Sequence, residues 1–280
     1  MFADLHIHTE YSDGKDKPAE IIAKSVQIGL KSISITDHDS VEAYSSAVPE
    51  AARCGIDLLA GVELSTDYEG QDIHILAYCL DPLNTLVQEY LKTFRSDRLK
   101  RAKKILAKLQ QLNINIGYEK LQKYEDIGAM GRPHVAQAML DGGYVGSIAE
   151  AFELYIGVGK PAYVPRLKYS PGDMVKLIRK LGGVPVLAHP GISCGDDLIK
   201  LLLADGLQGL EVYHPEHTEV MKKHYFQICQ RFSLIETGGS DYHGADSKWH
   251  GQLGQITVPY TVVQRLRDLA AANIKELNSI

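Results

Sequence analysis

Apolar and polar residues alternate along "FADLHIH", and that period of two predicts a strand. The next stretch changes period. "PAEIIAKSVQIGL" spaces its apolar residues three and four apart, which predicts a helix with Pro18 at its start. "SISITD" then predicts a strand, and "SVEAYSSAVPEAARC" a helix kinked or interrupted at Pro49. "LLAGVELS" and "DIHILAYCL" follow as strands. The alternation resumes later with helix "PGDMVKLIRKLG", strand "VPVLAHP", helix "DDLIKLLLADG" and strand "GLEVYHP". A helix over 216–231 and the strand and loop "LIETGGSDYH" complete it. Strands alternating with helices predict an α/β fold with a parallel sheet or barrel. The middle differs. "NTLVQEYLKTFRSDRLKRAKKILAKLQQLN" predicts one long helix, with Leu99, Ala102, Leu106 and Leu109 at core spacing. Shorter helices follow at "RPHVAQAMLDGG" and "SIAEAFELYI". Residues 83–168 are therefore expected as a helical insertion between two parts of one α/β domain, 1–82 and 169–280.

Composition narrows the partners. Apolar residues make up 45% and charged residues 23% of 280 positions, enough for a sizeable core. A net charge of −5 argues against duplex DNA as a partner. Cys54, Cys79, Cys194 and Cys229 lie far apart, without a CxxC pair, so a zinc knuckle or redox motif has no support. Scattered thiols and an N-terminus that enters a strand at once lead to the expectation of a cytoplasmic protein. No apolar stretch reaches membrane-spanning length, so no membrane partner is expected. Oligomeric state is not legible.

The chemistry sits at the ends of the predicted strands, where β/α barrels gather functional groups. His6 and His8 are two apart, so a strand would point both to one face. Asp13 follows them, then His38 in "TDHD", Glu63 in "GVELS", His74 in "DIHIL", His189 in "LAHP", and Asp241 with His243 in "GSDYH". One ion takes about four to six ligands, so this set suggests two or three divalent ions sharing bridging carboxylates. Nitrogen and oxygen donors without thiolate suit manganese, iron or zinc. Clustered ions activate a bridging water and clamp the oxygens of a displaced phosphate. Phosphate-loop, dinucleotide and serine-elbow motifs are absent from the sequence. The run Arg95, Arg98, Lys100, Arg101, Lys103, Lys104 and Lys108 is either a solvated helix face or an attractor of polyanions. Tyr118, Tyr124, Tyr144, Phe152 and Tyr155 could stack bases, and Trp249 could anchor a loop or edge a substrate.

"DLHIHTEYSDG", "SISITDHD", "GVELS", "DIHILAY", "LAHPG" and "GSDYHG" resemble, in order, the motifs of the PHP (polymerase and histidinol phosphatase) family. The resemblance implies a distorted (β/α)7 barrel with metal ions at one rim. It implies one ion on His6, His8, Glu63 and Asp241, a second on Glu63, His74 and His189, and a third on Asp13, His38 and His243. Glu63 would bridge the first two, and Glu63 and Asp241 would be catalytic. "GRPHVAQAML" resembles a stand-alone branch of phosphatases of 3′,5′-bisphosphonucleotides and exoribonucleases that trim short RNA from its 5′ end. In that branch Arg132 would grip a phosphate and His134 could line the cleft. A histidine near His217 would assist the leaving oxygen or bind phosphate. The implied function is metal-dependent hydrolysis of a nucleotide phosphate ester, by hydroxide held between ions, on a phosphorylated nucleotide or short RNA. Two other readings stay open: a phosphatase of a small metabolite such as histidinol phosphate, and a non-catalytic, metal-stabilised interaction module.

Overall fold

The computed structural model describes residues 1–126, 130–165, 169–246 and 251–279. The elements, in order, are β1 (Phe2–Ile7), α1 (Pro18–Gln27), β2 (Ser32–Ile35), α2 (Tyr44–Cys54), β3 (Asp57–Leu58), β4 (Gly61–Tyr68) and β5 (Gln71–Tyr78). Then come α3 (Thr85–Gln111), α4 (Glu119–Asp126), α5 (Arg132–Asp141), α6 (Ile148–Ala151) and a π-helical turn at Phe152–Ile156. After these follow α7 (Pro171–Lys180), β6 (Val184–Leu187), α8 (Pro190–Ser193), α9 (Asp196–Asp205) and β7 (Gly209–Tyr213). The chain closes with α10 (Glu219–Phe232), β8 (Ile235–Gly238), β9 (Val258–Pro259) and α11 (Tyr260–Leu277). Among the described residues no helix is long and apolar enough to cross a membrane.

The strands form two sheets, ordered β3-β2-β1-β9 and β4-β5-β6-β7-β8. The α/β class stands, but these sheets do not close into one continuous parallel ladder. β4 and β5 pair antiparallel because Glu69 and Gly70 turn the chain back with positive φ at both residues, and β6 pairs antiparallel with β5 after the intervening helices. Single bridges join the sheets at Ile7 with Tyr242 and at His38 with Glu63. The ladder thins to one bridge where strands diverge to present acids and imidazoles. The register shifts between Asp4 and Ile7 in the β1–β2 pairing and between Glu211 and Tyr213 in the β7–β8 pairing.

Helices α1, α2, α7, α9 and α10 pack on the sheets through one apolar cluster, and α11 packs through another. A third cluster lies inside the stretch between β5 and α7. Helix α3 serves two of them. Val87, Leu91 and Phe94 join the sheet cluster, while Ala102, Ile105 and Leu109 join the cluster of α4, α5 and α6. Two sequence expectations shift locally. α2 runs through Pro49 without interruption, and "SIAEAFELYI" is a short helix followed by the π turn.

Candidate metal centre

Strand β1 is buried from Ala3 to Ile7, and His6 and His8 leave it towards the same point. Their Nε2 atoms lie 3.1 Å apart. Glu63 enters from β4. Its Oε2 is 3.4 Å from His6 Nε2, 3.3 Å from His8 Nε2 and 3.0 Å from His38 Nδ1. Its Oε1 is 3.0 Å from His74 Nδ1 and 3.1 Å from His189 Nε2. One carboxylate thus meets five imidazoles from four segments of the chain. Asp241 Oδ1 lies 3.3 Å from His6 Nε2 and 3.2 Å from His8 Nε2. On the far side, Asp13 lies 3.2 Å from His243 Nε2 and 3.7 Å from His38 Nε2.

Three groups are close enough for their donor atoms to share an ion: His6, His8 and Asp241; His38, Glu63 and His74; and His8, Asp13, His38 and His243. Donors about 2.1 Å from a tetrahedral ion stand about 3.4 Å apart, close to the spacing around Glu63 Oε2. Asp13 Oδ1, His38 Nδ1, both ring nitrogens of His74 and His189 Nδ1 are buried without a hydrogen-bond partner. Asp13 Oδ1 and one ring nitrogen each of His38 and His74 face the cluster, where a divalent cation fits, while the other nitrogen of each neutral ring carries its proton.

The electrostatics agree. Burial alone would strip the proton from His8, but Asp241 and Glu63 outweigh it and push the imidazole up to about 10. His6 is likewise disfavoured as a cation by burial, yet Glu211, Asp241 and Glu63 raise it well above its ordinary value. Burial works against ionised Glu63, but His38, His74 and His6 hold it well below the usual carboxylate range. Burial drives His38 down to about 4. Acids held ionised beside imidazoles form a site for added positive charge.

A second layer of buried acids holds these side chains. Asp4 accepts from Ser240 N and Oγ and from Gly254 N, which fixes the loop that carries Asp241. Asp37 accepts from Thr9 N and Oγ1 and from Ser12 Oγ, which fixes the loop that carries Asp13. Glu211 on β7 accepts from His6 Nδ1 and His189 N. His214 Nδ1 accepts from Glu216 N–H, leaving its Nε2 to donate to Asp241 Oδ2 at 3.4 Å. Glu211, Asp4 and Asp37 have no place among the sequence expectations for the site. The signal was an acid inside an apolar strand, as in "GLEVY" and "FADLH".

The expected substrate residues separate. Arg132 pairs with Asp72, lies over the Phe152 ring at 5.3 Å and lines a cavity of about 100 Å³ with Asp13, His38, His74, Arg98 and Arg101. His134 does not line it. The ring sits 4.0 Å from that of Tyr124, and Nδ1 accepts from Gly131 N–H at the start of α5. His217 lies on the loop between β7 and α10. Its Nδ1 donates to Val212 O at 2.9 Å and its Nε2 accepts from Gly191 N–H at 3.1 Å. Both nitrogens contact the main chain, and burial lowers the affinity of the ring for a proton. Most of the basic run is engaged: Arg98 with Asp39, Arg95 with Glu42, and Arg101 and Lys108 with the carbonyls of Val164 and Tyr163. Trp249 lies outside the described residues.

The PHP domain family model matches residues 4–126. A 3′,5′-nucleoside bisphosphate phosphatase from Chromobacterium violaceum is 34% identical over 86% of this chain and 86% of its own. The 5′-3′ exoribonuclease Rnm of Escherichia coli is 31% identical over 86% of this chain and 84% of its own. A solved structure from Bifidobacterium adolescentis superposes with a TM-score of 0.87 at 28% identity, covering 95% of this chain and 96% of that one. With motifs, cluster geometry and near full-length relatives in agreement, the chain belongs to the PHP-domain family and is one of its metal-dependent phosphoesterases.

Proposed function

We propose that the chain hydrolyses a phosphate ester of a nucleotide, either a 3′,5′-bisphosphonucleotide or the 5′ end of a short RNA. The relatives named above act on such substrates, and one observation carries the reading to this chain. The cavity beside the His38 and His74 edge of the cluster is walled by Arg98, Arg101 and Arg132 and by the Phe152 ring. Guanidinium groups match phosphate oxygens, and an aromatic face suits a base.

In this reading the cluster takes two or three divalent ions, of manganese, iron or zinc. His6, His8, Glu63 and Asp241 hold one, Glu63, His74 and His189 a second, and Asp13, His38 and His243 a third. When bound, such ions supply a Lewis acid and an activated water. The chain supplies the rest. Glu63 keeps the imidazoles converged, and Asp241 adds a second carboxylate beside His6 and His8. Arg132 exchanges Asp72 for a substrate phosphate, and the cavity walls limit water around it. The paired sheets act as one distorted barrel, with residues 83–168 inserted as the wall over its mouth.

A substrate panel tests this. Metal-loaded protein is expected to release phosphate from a 3′,5′-bisphosphonucleotide or mononucleotides from a short 5′-phosphorylated RNA, in preference to histidinol phosphate. Glu63→Ala should lose both ions and turnover. Arg132→Ala should keep its ions and raise KM by about tenfold to a hundredfold, the worth of a charge-assisted pair. Turnover of histidinol phosphate alone, or ions and activity kept in Glu63→Ala, would overturn the reading.

A further inference from the structure

Glu211 is a carboxylate in the middle of an apolar strand. It is fully buried, and its neighbours Leu210 and Val212 are fully buried too. A buried charge is costly unless hydrogen bonds compensate it. The two oxygens of Glu211 go in two directions. Oε1 lies 2.9 Å from His6 Nδ1, and Oε2 lies 2.8 Å from the main-chain N of His189.

The first contact fixes a tautomer. With Oε2 accepting from the His189 N–H and Oε1 2.9 Å from His6 Nδ1, the carboxylate is placed as acceptor on both sides, which assigns the proton to His6 Nδ1. His6 Nε2 then offers its lone pair to the point shared with His8, Glu63 and Asp241. The second contact fixes a backbone. His189 adopts φ +30° and ψ 56°, a left-handed conformation uncommon for a residue other than glycine. It follows the end of β6, and its N–H is anchored by the Glu211 side chain. From there its ring reaches Glu63 Oε1.

We propose that Glu211 is a positioning residue that couples two neighbouring ion sites, one through the ring of His6 and one through the backbone of His189. This rests on the reading that the cluster binds divalent ions. A partner behind a metal-bound histidine orients the ring and raises its basicity, and its loss typically weakens metal binding tenfold to a hundredfold. Here one carboxylate does so for ligands of two ions, so the two should weaken together. The ion nearest Asp13, His38 and His243 should be spared, because Glu211 touches none of those residues in the contacts described.

Glu211→Gln is the informative variant. Its amide has one accepting oxygen and cannot satisfy both N–H donors. The full-length protein would be loaded with zinc and dialysed against graded chelator, with ion content measured by mass spectrometry. Histidine labelled with ¹⁵N would report the protonated nitrogen of His6. The expected result is about a tenfold to hundredfold weaker hold on two ions together, with the third retained and thermal unfolding still cooperative. Asp13→Asn should show the converse pattern. If Glu211→Gln does not fold, Glu211→Asp and the His6 resonance of the zinc-loaded wild type decide. A wild-type His6 protonated at Nε2 overturns the proposal. So does a folded Glu211→Gln protein with ions bound as in wild type. A wild type that takes up no zinc, manganese or iron sinks the metal reading itself, a distinguishable failure.

Discussion

Gly239 carries no functional group, yet one added methyl there would fall 2.3 Å from the main-chain N of His6 and 2.5 Å from its Cβ. The close approach of this loop to β1 is what lets Asp241 reach both Nε2 atoms. Gly239→Ala should push β1 away, cost about 1–3 kcal/mol of stability and lower zinc content. Gly195→Ala, where an added Cβ would meet nothing within 4 Å, is the control and should be near neutral in the same denaturation and metal assays. Wild-type behaviour of Gly239→Ala would mean that the loop yields easily. At this scale the candidate ligands were legible because imidazole and carboxylate carry metal chemistry in any fold. Asp4, Asp37 and Glu211 were not. Their role depends on which main-chain N–H groups the tertiary structure turns towards them, and a sequence does not display that.

Elements show the same division. β1, α1, β2, α7 and β6 follow from period and capping, and Ser170 accepts from Asp173 N at the start of α7 as its sequence suggests. The antiparallel turn at Glu69 and Gly70 was missed because two apolar runs in succession say nothing about their relative direction. α11 has no counterpart among the sequence expectations. Its buried Val262, Val263, Leu266 and Ala270 carry only packing, although the spacing is helical. α3 was expected, but the basic run hid two kinds of residue. Arg98 is largely buried against the sheet, its Nε 2.5 Å from Asp39 Oδ2 and its Nη2 2.7 Å from Ser65 Oγ, while Lys100 is mostly exposed. Removing one partner of such a buried pair costs about 3–5 kcal/mol. Arg98→Met should therefore destabilise strongly in urea unfolding. Arg98→Met with Asp39→Asn should lose less than the sum of the two single variants. Additive losses would show that α3 is seated by Val87, Leu91 and Phe94 alone.

On the scale of the whole molecule, the cluster links folding to pH and to metal. The folded value of His8, about 10, lies above the roughly 6.5 of an unfolded chain. Its contribution to metal-free stability is therefore complete below pH ~6.5 and is lost as pH rises towards 10. Glu63 and Asp13 are depressed in the fold, burial opposing and the facing imidazoles prevailing. Their contribution is present above the ordinary carboxylate range and is lost on acidification. Metal-free protein should thus be most stable in mildly acidic solution and weaken on the alkaline side. Ion binding runs the other way. A divalent ion must displace the proton of His8, so its affinity grows as pH rises through the same window. Stabilisation at a free-ion level a hundredfold above Kd is about 2.7 kcal/mol, or roughly 5–10 °C in Tm for a chain of this size. Chelator-treated and zinc-loaded protein, melted side by side from pH 6.5 to 9.5, should give curves that diverge, the metal-free Tm falling while the loaded Tm holds. Parallel curves would mean that His8 does not exchange a proton for an ion, and the cluster would then be stabilised by its own acid–imidazole pairs rather than by metal.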